Sequence, residues 1–169
     1  MKRVSISILF LLAIFCFGIP SVKAQDNPLK IVTNHPDFKI KVQRCAASGK
    51  TVIIDLILTN KGINDVDDIE VSRGYYDNAE MYDDEGNIYK GGGMDPVIRV
   101  RLANDSEYKY NPGHFKIPAD VPIRLSVRIE GVSTSTENIA RLSLPFRCDA
   151  WGLNDSKPVI ISNIPISRD

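Results

Sequence analysis

The sequence is poor in the residues that usually carry chemistry. Its 169 positions hold two histidines, three cysteines and one tryptophan. His35 and His114 lie far apart and neither belongs to a spaced ligand motif, so no usual zinc pattern is present. No serine sits in G-x-S-x-G, which excludes the nucleophile elbow of the α/β-hydrolases. Charge is not in excess either: 21 Lys and Arg face 21 Asp and Glu. A nucleic-acid partner would call for a strongly basic face, and none is expected. Sustained helical periodicity is missing throughout, and nothing points to a cofactor.

What is present begins with an address. Lys2 and Arg3 precede an apolar run over residues 4–19, Pro20 breaks it, and Val22 and Ala24 occupy the −3 and −1 positions of a signal-peptidase site. The pattern predicts a signal peptide over 1–24 and an exported chain, periplasmic or extracellular, with no transmembrane segment after cleavage. The run is short for a span. Cys16 follows bulky Phe15, where lipid attachment wants a small residue. The remaining 145 residues suit one domain, with 18 basic against 21 acidic side chains.

Period-two alternation dominates that domain. Phe38, Ile40 and Val42 alternate with Lys39, Lys41 and Gln43. Val52, Ile54, Leu56 and Leu58 form one face of the next strand, and Ile53 and Ile57 make its other face partly apolar. Ile98, Val100 and Leu102 alternate with Arg99 and Arg101; Val121, Ile123, Leu125, Val127 and Ile129 alternate with Arg124, Ser126, Arg128 and Glu130. Ala140, Leu142, Leu144 and Phe146 alternate with Arg141 and Arg147. A run over 158–166 contains Pro165 and reads as an edge strand. Residues 25–36 read as a flexible leader and 37–169 as one domain. Short strands with one apolar face each bury those faces together most economically as two packed antiparallel sheets.

Cys45 and Cys148 remain after cleavage. In an exported chain a pair of cysteines suggests one disulfide, closing a 104-residue loop worth up to about 4–5 kcal/mol. A nucleophilic cysteine is the alternative, and it needs a histidine base. The pairing carries a tension: by parity Cys148 points inward and Cys45 outward, so one alternation must break at a bulge or strand end.

"YDDEGNIYKGGG", residues 82–93, is the densest stretch of acids and glycines. Placing Gly86 at the sixth position of an EF-hand loop puts Met81 at the first, which offers no suitable oxygen. Gly91, Gly92 and Gly93 are followed by Met94 and Asp95, not by the lysine and hydroxyl of a phosphate loop. The stretch reads as a hairpin, with Asp83, Asp84, Glu85 and Gly86 in the turn and Gly86 at positive φ. An irregular calcium site among the loop carboxylates is the sharper alternative.

An apolar strand ending in "TNKG", then Asp83, Gly86 and Tyr89 at fixed spacing, then "NPG" and "IPADVPIRLSVRIEGV" resemble the secreted immunoglobulin-like domains of unknown function found in bacterial envelopes. The resemblance covers roughly 38–146. It implies an all-β, immunoglobulin-like antiparallel β-sandwich and carries over no catalytic residue.

Two surfaces are candidates for contact. Tyr75, Tyr76, Tyr82, Tyr89, Tyr108 and Tyr110 fall within one third of the domain, and tyrosine gives rigid amphipathic contact area. Arg99, Arg101, Arg124, Arg128, Arg141 and Arg147 share the outward parity of their strands. Were those strands neighbours, an arginine ladder would form that could meet an anionic glycan or lipid headgroup. The function expected is a non-enzymatic binding module of the cell envelope with a protein or glycan partner. A small hydrolase using loop carboxylates, or an accessory subunit binding by strand addition, are the alternatives.

Overall fold

A computed structural model describes residues 27–71, 79–92, 96–109, 112–153 and 157–168. The chain is all-β, with no α-helix among these residues. Its strands are β1 (Lys30–Val32), β2 (Phe38–Ser48), β3 (Thr51–Asn60), β4 (Val66–Val71), β5 (Glu80–Asp83), β6 (Ile88–Lys90), β7 (Ile98–Leu102), β8 (His114–Ile117), β9 (Ile123–Ile129), β10 (Asn138–Leu144), β11 (Phe146–Arg147), β12 (Val159–Pro165) and β13 (Ser167–Arg168). They form a five-stranded sheet in the order β1-β12-β10-β5-β6, a second of order β13-β2-β3-β9-β7, and a three-stranded sheet β11-β4-β8. Pairing is antiparallel except between β13 and β2.

The alternation read from the sequence builds one core. Val52, Ile54, Leu56 and Leu58 of β3, Val100 of β7, and Leu125, Val127 and Ile129 of β9 are fully buried. Across from them lie Met81 of β5, Leu142 and Leu144 of β10, and Ile161 of β12. Each such side chain contributes roughly 1.5–3 kcal/mol by leaving water. Phe38 closes one end, packed edge-on to Phe146 and stacked on Trp151 at centroid distances of 5.1 and 5.0 Å.

Several expectations change. The run ending in Pro165 is an interior strand, because β1 pairs along its outer side. Pro165 sits at its last position, where a missing donor costs little. Residues 30–32, expected in a loose leader, supply that outer strand. The pairing of β10 with β5 shifts between Ile139 and Arg141, which leaves Ala140 exposed and buries Ile139. Pro145 then ends β10, and the chain crosses to the three-stranded sheet as β11.

The expected disulfide is absent: Cys45 and Cys148 are free, buried thiols. A register shift between Val42 and Arg44 does turn Cys45 inward, so parity is no obstacle. Position along the strand is. Cys148 lies beside the turn carrying Trp151, whose ring stacks on Phe38, at one end of β2. Cys45 lies seven residues further along the same strand, on the order of 20 Å at strand rise. Burial pushes the Cys45 thiol up to about 12, against a smaller opposing effect of Arg168. Burial likewise raises Cys148.

Candidate functional site

The acidic hairpin is a closed structural unit. β5 and β6 pair antiparallel, and the Gly86 N–H donates to the Asp83 carbonyl across Asp84 and Glu85. Gly86 has φ 86°, with open space around it. The Asp83 carboxylate is 3% exposed and is ringed by donors. Its Oδ1 accepts from the N–H groups of Glu85 and Asn87 at 3.1 and 2.8 Å. Its Oδ2 accepts from Asn87 Nδ2, the Tyr89 hydroxyl and the Thr136 hydroxyl at 2.9, 3.1 and 3.1 Å. Burial pushes the carboxyl pKa up, but the bonds from Asn87, Tyr89 and Thr136 outweigh it and hold it below the usual range. This explains the spacing of Asp83, Gly86 and Tyr89: a carboxylate, the glycine that turns the chain back, and the hydroxyl that returns to the carboxylate. Five donors saturate the lone pairs, and a cation would have to displace them. Among the described residues no group of three or more His, Cys, Asp or Glu could hold a metal ion.

Beside the hairpin, Lys50, Asn87, Tyr89, Gly131, Ser133 and Thr134 line a shallow polar depression of about 520 Å³. The three described tyrosines do not share one surface. Tyr82 bonds Glu80, Tyr89 lies opposite Met81 on the other face of that hairpin, and Tyr108 follows β7 and packs under Arg101 of the second sheet. Tyr75, Tyr76 and Tyr110 lie outside the described residues. His114 of β8 lies between Asp68 and Glu70 of β4, and Lys116 lies between Asp65 and Asp67.

The arginines divide differently from the parity reading. Arg141 is on β10 and Arg147 on β11, in separate sheets. Arg99, Arg101, Arg124 and Arg128 do share one surface, the outer face of β7 and β9. Arg99 lies directly opposite Arg128 in the ladder, and Arg101 opposite Ser126. Like charges placed so oppose pairing by a few tenths of a kcal/mol or more. The guanidinium groups of Arg101 and Arg128 lie 4.6 and 5.8 Å from the Tyr108 ring centroid, which fixes their planes. Arg128 also bonds Glu130 at 2.9 Å, while its Nε is buried without a partner.

The face continues further than the arginines. Across β3, the register aligns Lys41 with Ile57 and Arg124, and Arg44 with Asp55 and Ser126. Exposed Lys39, Lys41 and Arg44 thus form a second cationic track on β2, about 14 Å from β7 at ordinary strand spacing. Half-buried Ile53 and Ile57 floor the space between, with Asp55 bonded to the Ser126 hydroxyl at 2.6 Å. Seven cations therefore share this face with two carboxylates. Six of the seven, all but Arg128, have no carboxylate within 4 Å among the described residues. Off this face Lys61, Lys90, Lys109 and Lys116 each reach one, while Lys30, Lys50, Arg141 and Lys157 reach none among the described residues but do not all stand on one sheet face, since Lys50 and Lys157 lie outside the strands. The β2 track was missed from sequence because strand order was unknown, and because Arg44 faces outward only through the bulge.

No family model matches the chain, and no curated protein matches it. Among solved structures it is similar to a family 123 glycoside hydrolase from Clostridium perfringens, described for glycolipid glycan hydrolysis. That likeness has a TM-score of 0.41 and 12% identity, and it covers 84% of this chain and 28% of the hydrolase.

Proposed function

We propose that the chain is an exported, immunoglobulin-like β-sandwich acting as a non-enzymatic binding module of the cell envelope. It engages an anionic partner through the outer face of the β2-β3-β9-β7 sheet. One observation carries this reading: six cations stand together with no carboxylate within 4 Å among the described residues, on a face where two arginines are directly opposed. Uncompensated charge of one sign is a cost in the free protein, and an anion spanning the guanidinium groups removes it. The Asp83 carboxylate is consumed by its own hairpin, which argues against a carboxylate-based hydrolase there.

The test compares the protein with an Arg99→Ser/Arg101→Ser/Arg124→Ser variant in co-sedimentation with isolated envelope material across a salt series. The expected result is binding that weakens steeply with salt and falls at least roughly tenfold in the variant. Retention indifferent to both would overturn the reading.

A further inference from the structure

We propose that the anionic partner is a lipid surface, and that the loop tip carrying Ile63 and Val121 enters its headgroup layer while the cationic face lies against its phosphates. This rests on the binding reading above and names its source.

The tip adjoins the Lys39 end of the face. Lys39 lies opposite Thr59, and β3 ends one residue later at Asn60. From there one loop carries Ile63, 94% exposed. The loop leading into β9 carries Val121, expected on the inward face of that strand but 46% exposed because β9 begins only at Ile123. Isolated exposed apolar residues are ordinary, but the loops that carry these two are tied to each other. Asn60 is fully buried and donates from Nδ2 to the carbonyls of Asn64 and Ile117, while its Oδ1 accepts from the Gly62 N–H. The Asp120 N–H donates to the Asn60 carbonyl at 2.8 Å, and the Lys61 ammonium meets the Asp120 carboxylate at 2.8 Å. The neighbouring acids Asp65 and Asp67 share one cation, Lys116, so this end of the loop keeps a negative charge that Lys39 at the edge of the face must offset. The tip is thus braced by hydrogen bonds and ion pairs, and Ile63 stands exposed on it.

A soluble polyanion accounts for the two cationic tracks but gives an exposed isoleucine nothing to contact. An anionic bilayer uses both. Its headgroup phosphates meet Lys39, Lys41, Arg44, Arg99, Arg101 and Arg124, and its interfacial hydrocarbon receives the apex. Each basic residue near such a surface is worth about 1 kcal/mol, or roughly fivefold in partition.

The experiment measures partition of the protein, its N-terminus read by intact mass, onto vesicles of phosphatidylglycerol mixed with phosphatidylcholine, onto phosphatidylcholine alone, and onto immobilised dextran sulfate. The proposal expects binding to the anionic vesicles. It expects losses of roughly tenfold or more in Lys39→Ser/Lys41→Ser and, separately, in Arg99→Ser/Arg101→Ser. Ile63→Ser weakens vesicle binding and leaves dextran sulfate binding unchanged, and Ile63→Trp shifts its emission to the blue on the anionic vesicles. Circular dichroism melts identify any variant that fails to fold, and the two tracks provide independent variants. Binding to dextran sulfate without vesicle binding would overturn the lipid assignment and leave the anion-binding reading standing. Binding to neither would overturn both. Vesicle binding that Ile63→Ser does not weaken would overturn the role of the tip.

Discussion

Replacing Asp83 by alanine should be the most destabilising single change in the acidic hairpin. Five hydrogen bonds end on this carboxylate. The Glu85 and Asn87 groups are exposed enough to regain water, so their loss costs little. Thr136 is fully buried, and Tyr89 is half-buried beneath the turn. Stranding the Thr136 hydroxyl costs about 1–3 kcal/mol, and the loss of charge-assisted bonds from Tyr89 and Asn87 adds to it. The total expected is about 3–4 kcal/mol, or a fall in Tm of roughly 8–15 °C for a domain of this size. Asp84→Ala is the control: its exposed carboxylate bonds the Asn138 N–H and should cost under about 1 kcal/mol. Thermal melts and urea titrations at neutral pH measure both. If Asp83→Ala and Asp84→Ala lowered stability equally, the account of Asp83 as the anchor of the hairpin would be wrong.

Acid should act through the same group. Asp83 has a depressed pKa when folded, so its contribution is complete above the unfolded value near 4 and is lost as pH falls through the folded value; Asp83→Asn should flatten this acid limb of a stability–pH profile. Cys45 and Cys148 should titrate as two free thiols after denaturation, with Cys45 reacting slowly in the native protein at neutral pH because burial holds its thiol near 12. A mass shift of two protons on reduction would contradict this. Gly91→Ala should destabilise by about 1–3 kcal/mol in urea titration, since a Cβ there meets the Ala79 Cβ at 3.0 Å and the Ile98 Cβ at 3.3 Å. An unchanged midpoint would show that β5 and β7 yield more easily than their packing implies.

How far the chain can be read before folding depends on whether a feature is local. The buried faces of β3 and β9 follow from strict alternation and lie where that alternation puts them. The hairpin turn was legible because Gly86 and its acidic neighbours act within seven residues. Bulges were harder: the expected cysteine pairing calls for a break in parity at one of the two, and the one before Arg44 turns Cys45 inward without the disulfide that motivated it, while the one before Arg141, which exchanges Ala140 for Ile139, is not expected from the sequence. No residue type at either place announces an extra position. Strand order was also hidden. Arg141 and Arg147 share their parity with Arg99 and Arg128 yet fall on other sheets, whereas Lys39 and Lys41 join the arginines through β3. Side-chain alternation reports which face a residue takes, not which strands lie beside it. The partner of the Asp83 carboxylate, Thr136, is 53 residues away and leaves no spacing signal.

The central claim is that an anionic partner covers the outer face of the β2-β3-β9-β7 sheet. Arginine-selective footprinting with phenylglyoxal, read by peptide mass spectrometry with and without phosphatidylglycerol vesicles, tests it most directly. Vesicles should protect Arg44, Arg99, Arg101 and Arg124, with Arg141 on the other sheet modified equally in both conditions. Protection of Arg141 without protection of Arg99 and Arg101 would contradict it.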